Sequence, residues 1–362
     1  MNLRIAIALA LAATLPALAA APAAPSPSAV ALPLDRPALM STRAEHSVLL
    51  DIARSGDRLV AVGERGRILL SDDDGAHWRQ VASPVSVTLT AVQFATPEMG
   101  WAVGHEGVVL HSRDGGTTWE KQLDGRQAAQ LAMAAANAAA RDALPDAEQR
   151  LKEAERLDAD GPDKPFLALH FSNARRGIVV GAYGLIFTTE DGGATWLPAM
   201  HRVDNPRGLH LYAVQRRGDT TWLTGELGFL ARADGDGTPF VRIETPYAGS
   251  LFSMAFGAHD QLWLFGLRGN AWRSTDGGTT FQQLAVPTPA SLIASTLLSD
   301  GRVVALNQAG QLLIEAGDSL HALSVPPGAP LTSAVLASDG RLVASSWSGP
   351  RRLPANLLGS PK

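Results

Sequence analysis

Five strong copies and two weaker ones of a single phrase run through this chain: a short apolar run, a glycine-marked turn, a second apolar run, then an acid–glycine turn closing on an aromatic residue. The strong copies are VGERGRILLSDDDGAHW (62–78), VGHEGVVLHSRDGGTTW (103–119), VGAYGLIFTTEDGGATW (180–196), TGELGFLARADGDGTPF (224–240) and FGLRGNAWRSTDGGTTF (265–281). The weaker ones are LNQAGQLLIEAGDSLHA (306–322) and SSWSGPRRL (345–353). Their marker glycines, Gly66, Gly107, Gly184, Gly228, Gly269, Gly310 and Gly349, stand 41, 77, 44, 41, 41 and 39 residues apart. Such a period constrains the fold more than any composition, because each unit is one supersecondary element that buries its apolar surface only against its neighbours. The second spacing exceeds the first by 36 residues, the size of one insertion.

A period near 40 built from short alternating strands is that of a four-stranded propeller blade, and seven units predict an all-β, seven-bladed β-propeller. In the second unit LTAVQF reads as the inner strand, WAVGH and GVVLHS as the middle pair and TTWEKQL as the outer strand, with Leu89 and Val92 buried between blades. The 35 glycines and 23 prolines fit many turns rather than helical repeats. The expected domains are a signal peptide at 1–19, an Ala/Pro/Ser-rich linker at 20–33, the propeller at 34–355 with an insertion at 125–164, and a tail at 356–362. The last unit supplies at most three strands, so residues 29–42 are expected to complete blade seven as its outer strand and remove two exposed edges.

The amino terminus reads as an export signal: MNLR is positive, IAIALALAATLPALA is apolar but short for a bilayer, and Ala17-Leu18-Ala19 has the small-x-small cleavage pattern. This places the mature protein in a bacterial periplasm, without membrane insertion once the signal is removed. The chain has no cysteine, which excludes a lipidated N-terminus, disulfides and thiolate metal sites. A net charge of −4 with mixed signs offers no concentrated basic patch for nucleic acid. Nothing in the pattern calls for a cofactor, and a monomer is expected.

The acid in each turn invites a catalytic reading that its repetition removes. Ser71, Asp73, Gly75 and Trp78; Ser112, Asp114, Gly116 and Trp119; Thr189, Asp191, Gly193 and Trp196; and Ser274, Asp276, Gly278 and Phe281 occupy equivalent places in four blades. They cannot all belong to one active site. A short acid that accepts backbone N–H groups, a glycine that permits positive φ and an aromatic plug together make a turn lock. One carboxylate per turn is too few for calcium.

This S-x-D-x-G-x-T-W pattern resembles the Asp-box, or BNR repeat, of sialidases, some glycoside hydrolases and sortilin-type receptors. The longer phrase VQFATPEMGWAVGHEGVVLHSRDGGTTW resembles more specifically the photosystem II stability/assembly factor family. The resemblance covers about residues 45–350 and weakens in blade four, where Ala233, Gly235 and Pro239 replace Ser, Asp and Thr, and in blade six, where Glu315 and Gly317 do so. It implies an exported, non-enzymatic assembly scaffold that binds membrane-protein subunits, without implying a photosystem client. The alternative is a sialidase-like or other glycoside hydrolase. Only three tyrosines are present, the arginine motif of sialidases is missing, and Glu64, Glu106 and Glu226 recur at equivalent turns rather than forming a pair.

Propeller connectivity sorts the loops onto two faces. One carries the Asp-boxes with the arginine pairs 175/176 and 216/217. The other carries Glu64, Arg65, His105, Glu106, Tyr183, Glu226, Arg268, Gln308 and Trp347 around the channel mouth, and this mixed charged and aromatic ring is the expected surface for a membrane or envelope protein complex. The insertion, RQAAQLAMAAANAAARDAL (126–144) and PDAEQRLKEAERL (145–157), reads as a helical hairpin rising from that second face. Leu131, Met133, Leu144 and Leu151 are its expected apolar stripe, packing on the propeller rim or docking a partner.

Overall fold

A computed structural model describes residues 31–358. The expected signal peptide, most of the expected linker and the last four residues lie outside the described residues. Among the described residues the strands form seven antiparallel sheets, six of four strands and one of three, each ordered from inner to outer strand along the chain. Blade two runs Leu89–Phe94, Gly100–Gly104, Val109–Ser112 and Glu120–Leu123, so its outer strand begins after the aromatic of the turn rather than with the threonines before it. Inner strands contact one another around the whole ring, from Leu49–Ser55 in blade one to Leu331–Leu336 in blade seven and back.

Each second strand is buried along nearly its whole length, most as apolar runs such as RLVAVG, GWAVG and LWLFG, because neighbouring blades cover both of its faces. Each inner strand carries a bulge directly after its first residue, as between Leu49 and Asp51 or Leu211 and Ala213. The bulge presses the strand entry onto the end of the second strand. At Gly104 an added Cβ would stand 2.2 Å from the Thr88 carbonyl oxygen, so only glycine fits there.

Ring closure differs from expectation. Blade seven keeps three strands, and the segment before blade one forms two short 3-10 turns, Pro33–Asp35 and Ala44–His46, instead of a fourth strand. That segment lies along blade one: the Ala38 amide donates to the Ser83 carbonyl at 3.0 Å, Gln80 Nε2 donates to the Leu39 carbonyl at 3.0 Å, and Leu34 is buried with Val81, Val85 and Val87. The reason is chemical. Pro33 and Pro37 have no N–H to give a ladder, and the strand they would join, Arg351–Arg352, is only two residues long between Pro350 and Pro354. The ring closes through side chains: Thr332 Oγ1 donates to the Leu49 carbonyl at 2.8 Å, Ser338 Oγ donates to Asp74 at 2.8 Å, and Ala337 and Val343 pack with Leu49, Ile52 and Leu59.

The insertion is a helical hairpin, α1 (Gly125–Arg141) and α2 (Ala147–Asp160), with Pro145 in the connecting loop. A capping box starts α1: Asp124 accepts from the Arg126 and Gln127 amides at 3.0 and 3.1 Å, and Gln127 Oε1 accepts from the Asp124 amide at 3.1 Å. The buried face is alanine, at Ala128, Ala129, Ala132, Ala136 and Ala139, rather than the expected leucine stripe. Leu131, Met133 and Leu151 are only partly buried and Leu144 is exposed. Alanine lets the helix lie close to Phe187 and Trp196 of blade three and to α2, within one shared core.

Candidate functional site

The Asp-boxes are turn locks built from the same bonds in four blades. In blade two, Ser112 Oγ donates to Asp114 at 2.9 Å and accepts the Gly116 amide at 2.8 Å. Asp114 accepts the Thr118 amide at 2.8 Å and its hydroxyl at 2.7 Å, while Trp119 Nε1 donates to the Gly116 carbonyl at 2.8 Å. Thr189, Asp191, Gly193 and Thr195 repeat the arrangement in blade three, and Ser274, Asp276, Gly278 and Thr280 in blade five. In blade one His77 replaces the threonine, its Nδ1 lying 2.6 Å from Asp73, and Trp78 Nε1 reaches the Gly75 carbonyl at 3.1 Å. The box glycines need positive φ, 84° at Gly116 and 80° at Gly75. Trp119 and Trp196 are buried between blades, Trp78 and Phe281 partly so.

These bonds stabilise the ionised acids. Hydrogen bonds from His77 hold Asp73 down to about 2, and those from the Thr280 hydroxyl and amide hold Asp276 down to about 2. A carboxylate depressed below its unfolded value near 4 contributes stability above that value and loses it as pH falls towards 2. Acid unfolding is therefore expected between about pH 4 and 2. Asp276→Asn should flatten that part of a circular-dichroism pH titration. Asp114→Ala should cost roughly 1–2 kcal/mol, as loss of a side-chain cap does, with partner binding unchanged at temperatures where the variant is folded.

On the opposite face the sequence candidates occupy the turns between second and third strands. Arg65, Glu106, Tyr183 and Arg268 share the left-handed conformation, with φ of 53–58°. Arg65, His105, Tyr183, Arg268, Gln308 and Trp347 are exposed. Glu64 and Glu226 are half-buried and bonded to backbone, Glu64 accepting the Val48 amide at 3.2 Å and Glu226 the His210 amide at 2.8 Å. Burial pushes the Glu106 carboxyl up. Tyr183 is joined to the hairpin, with Lys164 Nζ 5.0 Å from its ring centre and His210 edge-on at 4.8 Å.

A cleft lies elsewhere. It opens between blades three and four on the Asp-box side, encloses about 280 Å³, and is lined by Arg176, Arg202, Arg216, Asp236, His170 and His201 among others. Arg176 Nη1 donates to Asp236 at 2.8 Å, and Arg216 Nη1 pairs with the other oxygen of the same carboxylate. Arg202 donates through Nε and Nη2 to the Thr238 carbonyl at 3.1 and 2.7 Å, and has no carboxylate within 4 Å among the described residues. Its charge is disfavoured by burial. Burial, with the charge of Arg216, lowers His170 to about 4 and keeps the ring neutral.

Asp236 comes from one of the two broken Asp-boxes. It stands one residue beyond the usual acid position, where Gly115, Gly192 and Gly277 stand in intact boxes. Asp318 of blade six is displaced in the same way and pairs with Arg273 of blade five at 2.6 Å. The shift takes the acid out of its own turn and gives it to an arginine of the preceding blade. Arg273 also meets Glu315 of blade six at 3.0 Å, whereas Asp236 is shared by Arg176 and Arg216 and a third arginine, Arg202, lines the same cleft. Sequence reading missed Asp236, Arg202 and His170. The displaced acid, together with the tandem arginines 175/176 and 216/217, was the available signal.

The fold and turns define a seven-bladed Asp-box propeller with an arginine-lined cleft between blades. A family described as "Photosynthesis system II assembly factor YCF48" matches residues 70–140 and 152–250, the break falling within the hairpin. "Photosystem II assembly protein Ycf48" of Synechococcus sp. (strain JA-2-3B'a(2-13)) is 29% identical over 202 residues, covering 50% of this chain and 57% of the relative. The chloroplastic photosystem II stability/assembly factor HCF136 of Cyanidioschyzon merolae is 36% identical over 89 residues, covering 24% of this chain and 19% of that protein. The chain thus spans just over half the length of the first relative and a fifth of the second. Among solved structures, YCF48 bound to D1 peptide superposes with a TM-score of 0.61 at 16% identity over 88% of this chain and 98% of that one. Streptogramin B lyase superposes with a TM-score of 0.65 at 13% identity over 86% and 94%. At those identities the superpositions establish the fold alone. The chain belongs to the photosystem II stability/assembly factor-like family of BNR-repeat propellers.

Proposed function

We propose that this protein is an exported, periplasmic, monomeric and non-enzymatic factor that helps assemble or stabilise an envelope membrane-protein complex. It grips carboxylate-bearing polypeptide of that client in the cleft between blades three and four. The observation that carries this reading is the cleft itself, where Arg176 and Arg216 pair with Asp236 while Arg202 lines the same cleft with no carboxylate within 4 Å among the described residues. Guanidinium groups bind carboxylates through paired N–H donors, and in a partly desolvated cleft such pairs give both affinity and orientation. Two relatives support it: a solved YCF48 is bound to a D1 peptide, and a Synechococcus protein is named a photosystem II assembly lipoprotein. The exposed Arg65, His105, Tyr183, Arg268 and Trp347 on the other face give a large client a second area of contact.

Affinity capture from detergent-solubilised envelopes of the native host tests the reading. Wild-type protein should retain a membrane-protein complex that an Arg176→Glu variant of equal melting temperature does not. Equal retention by both proteins, or turnover of a glycoside panel, would count against it.

A further inference from the structure

The same carboxylate that organises the cleft also fills it. Asp236 takes Arg176 on one oxygen and Arg216 on the other, the position a client carboxylate would need. Its turn is anchored at both ends, by the Gly235 amide on the Asp219 carbonyl at 3.0 Å and by Arg202 on the Thr238 carbonyl at 2.7 Å, with Asp236 between two glycines. Gly235 and Gly237 flank it with φ of 101° and 76°; an added Cβ at Gly237 would meet nothing within 4 Å, and one at Gly235 only Thr238. In the intact boxes the acid is held by three or four bonds inside its own turn, which Ala233, Gly235 and Pro239 cannot supply here.

We propose that Asp236 is an internal competitor that occupies the arginine fork in the unliganded protein and swings out on its two glycines when a client carboxylate enters. The idea rests on the carboxylate-binding reading above and adds a specificity device to it. Only a ligand that contacts Arg202 or His170 as well as the fork gains more than Asp236 loses. Weak monovalent carboxylates are thereby screened out. Arg202, which no acid reaches in the closed arrangement, is the added contact that tips the exchange.

Fluorescence anisotropy with a labelled hexaglutamate peptide in about 0.15 M salt separates the possibilities, using the full chain as wild type, Asp236→Asn, Asp236→Ser, Asp219→Asn and Arg176→Ala. If Asp236 closes the fork about nine-tenths of the time, apparent affinity is reduced roughly tenfold and Asp236→Asn should recover it. Asp219 touches Arg216 at 3.3 Å from an exposed position outside the cleft, so Asp219→Asn removes the same charge and should change affinity less than twofold. Asp236→Ser, which keeps a hydrogen-bonding group in the loop, should bind as tightly as Asp236→Asn even if one of the two loosens the blade. Asp236 replacements that bind no tighter than wild type, with Arg176→Ala weaker, would mean that Asp236 only positions the arginines; the competitor idea would fall and the carboxylate reading would stand. An equal gain from Asp219→Asn would reduce the effect to net charge and also overturn the competitor. Binding that is absent throughout, or unchanged in Arg176→Ala, would overturn the carboxylate reading itself.

Discussion

Replacing Arg176 by glutamate is expected to weaken client binding by about 30-fold or more, corresponding to roughly 2–5 kcal/mol, while leaving the melting temperature nearly unchanged. The side chain is half exposed, so its ion pair adds little to folding. Within the cleft, however, the new carboxylate would face Asp236 and cancel the charge that Arg202 and Arg216 present. Arg217→Glu is the matched control: Arg217 follows the cleft residue Arg216 in the other tandem pair but lies outside the cleft, 3.6 Å from Asp260. Titration calorimetry against the isolated client should show the loss for Arg176→Glu and near wild-type affinity for Arg217→Glu. Equal losses would point to a diffuse charge effect rather than a site.

Trp101→Ala is expected to have the largest effect on stability, about 3–5 kcal/mol, measured as a lowered denaturant midpoint. Trp101 is fully buried in the second strand of blade two, stacked on Phe171 of blade three at 3.6 Å and on His111 at 4.7 Å. Its Nε1 donates to Gln122 at 3.2 Å and to the carbonyl of Gly192, inside the Asp-box turn of blade three, at 3.3 Å. Truncation would open a cavity between two blades and leave that carbonyl to Gln122 Nε2 alone, which donates to it at 2.9 Å. Repeat architectures are held by nearest-neighbour interfaces, so hydrogen exchange should speed up first in blades two and three. Uniform loss of protection around the ring would contradict this local account.

The difference between these substitutions shows how much of the molecule was legible in its sequence. Ser112, Asp114, Gly116 and Trp119 could be read as a turn lock because all their bonds are made within eight residues. The hairpin was readable for the same reason, since helix propensity and chain length are local. Its buried face was not: whether leucine or alanine turns inward depends on how closely blade three approaches, and Leu144 ended exposed. Ring closure was misread because a plausible strand pattern in residues 29–42 took no account of Pro33 and Pro37, or of how short the strand at Arg351–Arg352 would be. The glutamates at 64 and 226 looked like free surface charges in the sequence, and the fold turned both onto backbone amides at the entrance of inner strands.

By itself, the sequence determined what repeats: seven units, their strands, their turn locks and the place of the insertion, all consequences of short-range bonding and periodic burial. Only the tertiary structure decided what lies between repeats. Arg176, Arg202, Arg216 and Asp236 span 60 residues and two blades, and no local pattern joins them. Packing blade three against blade four brings Arg176 onto the displaced acid beside Arg216 and sets Arg202 in the same cleft, because the turn that lost its own lock was free to offer its carboxylate to the neighbouring blade.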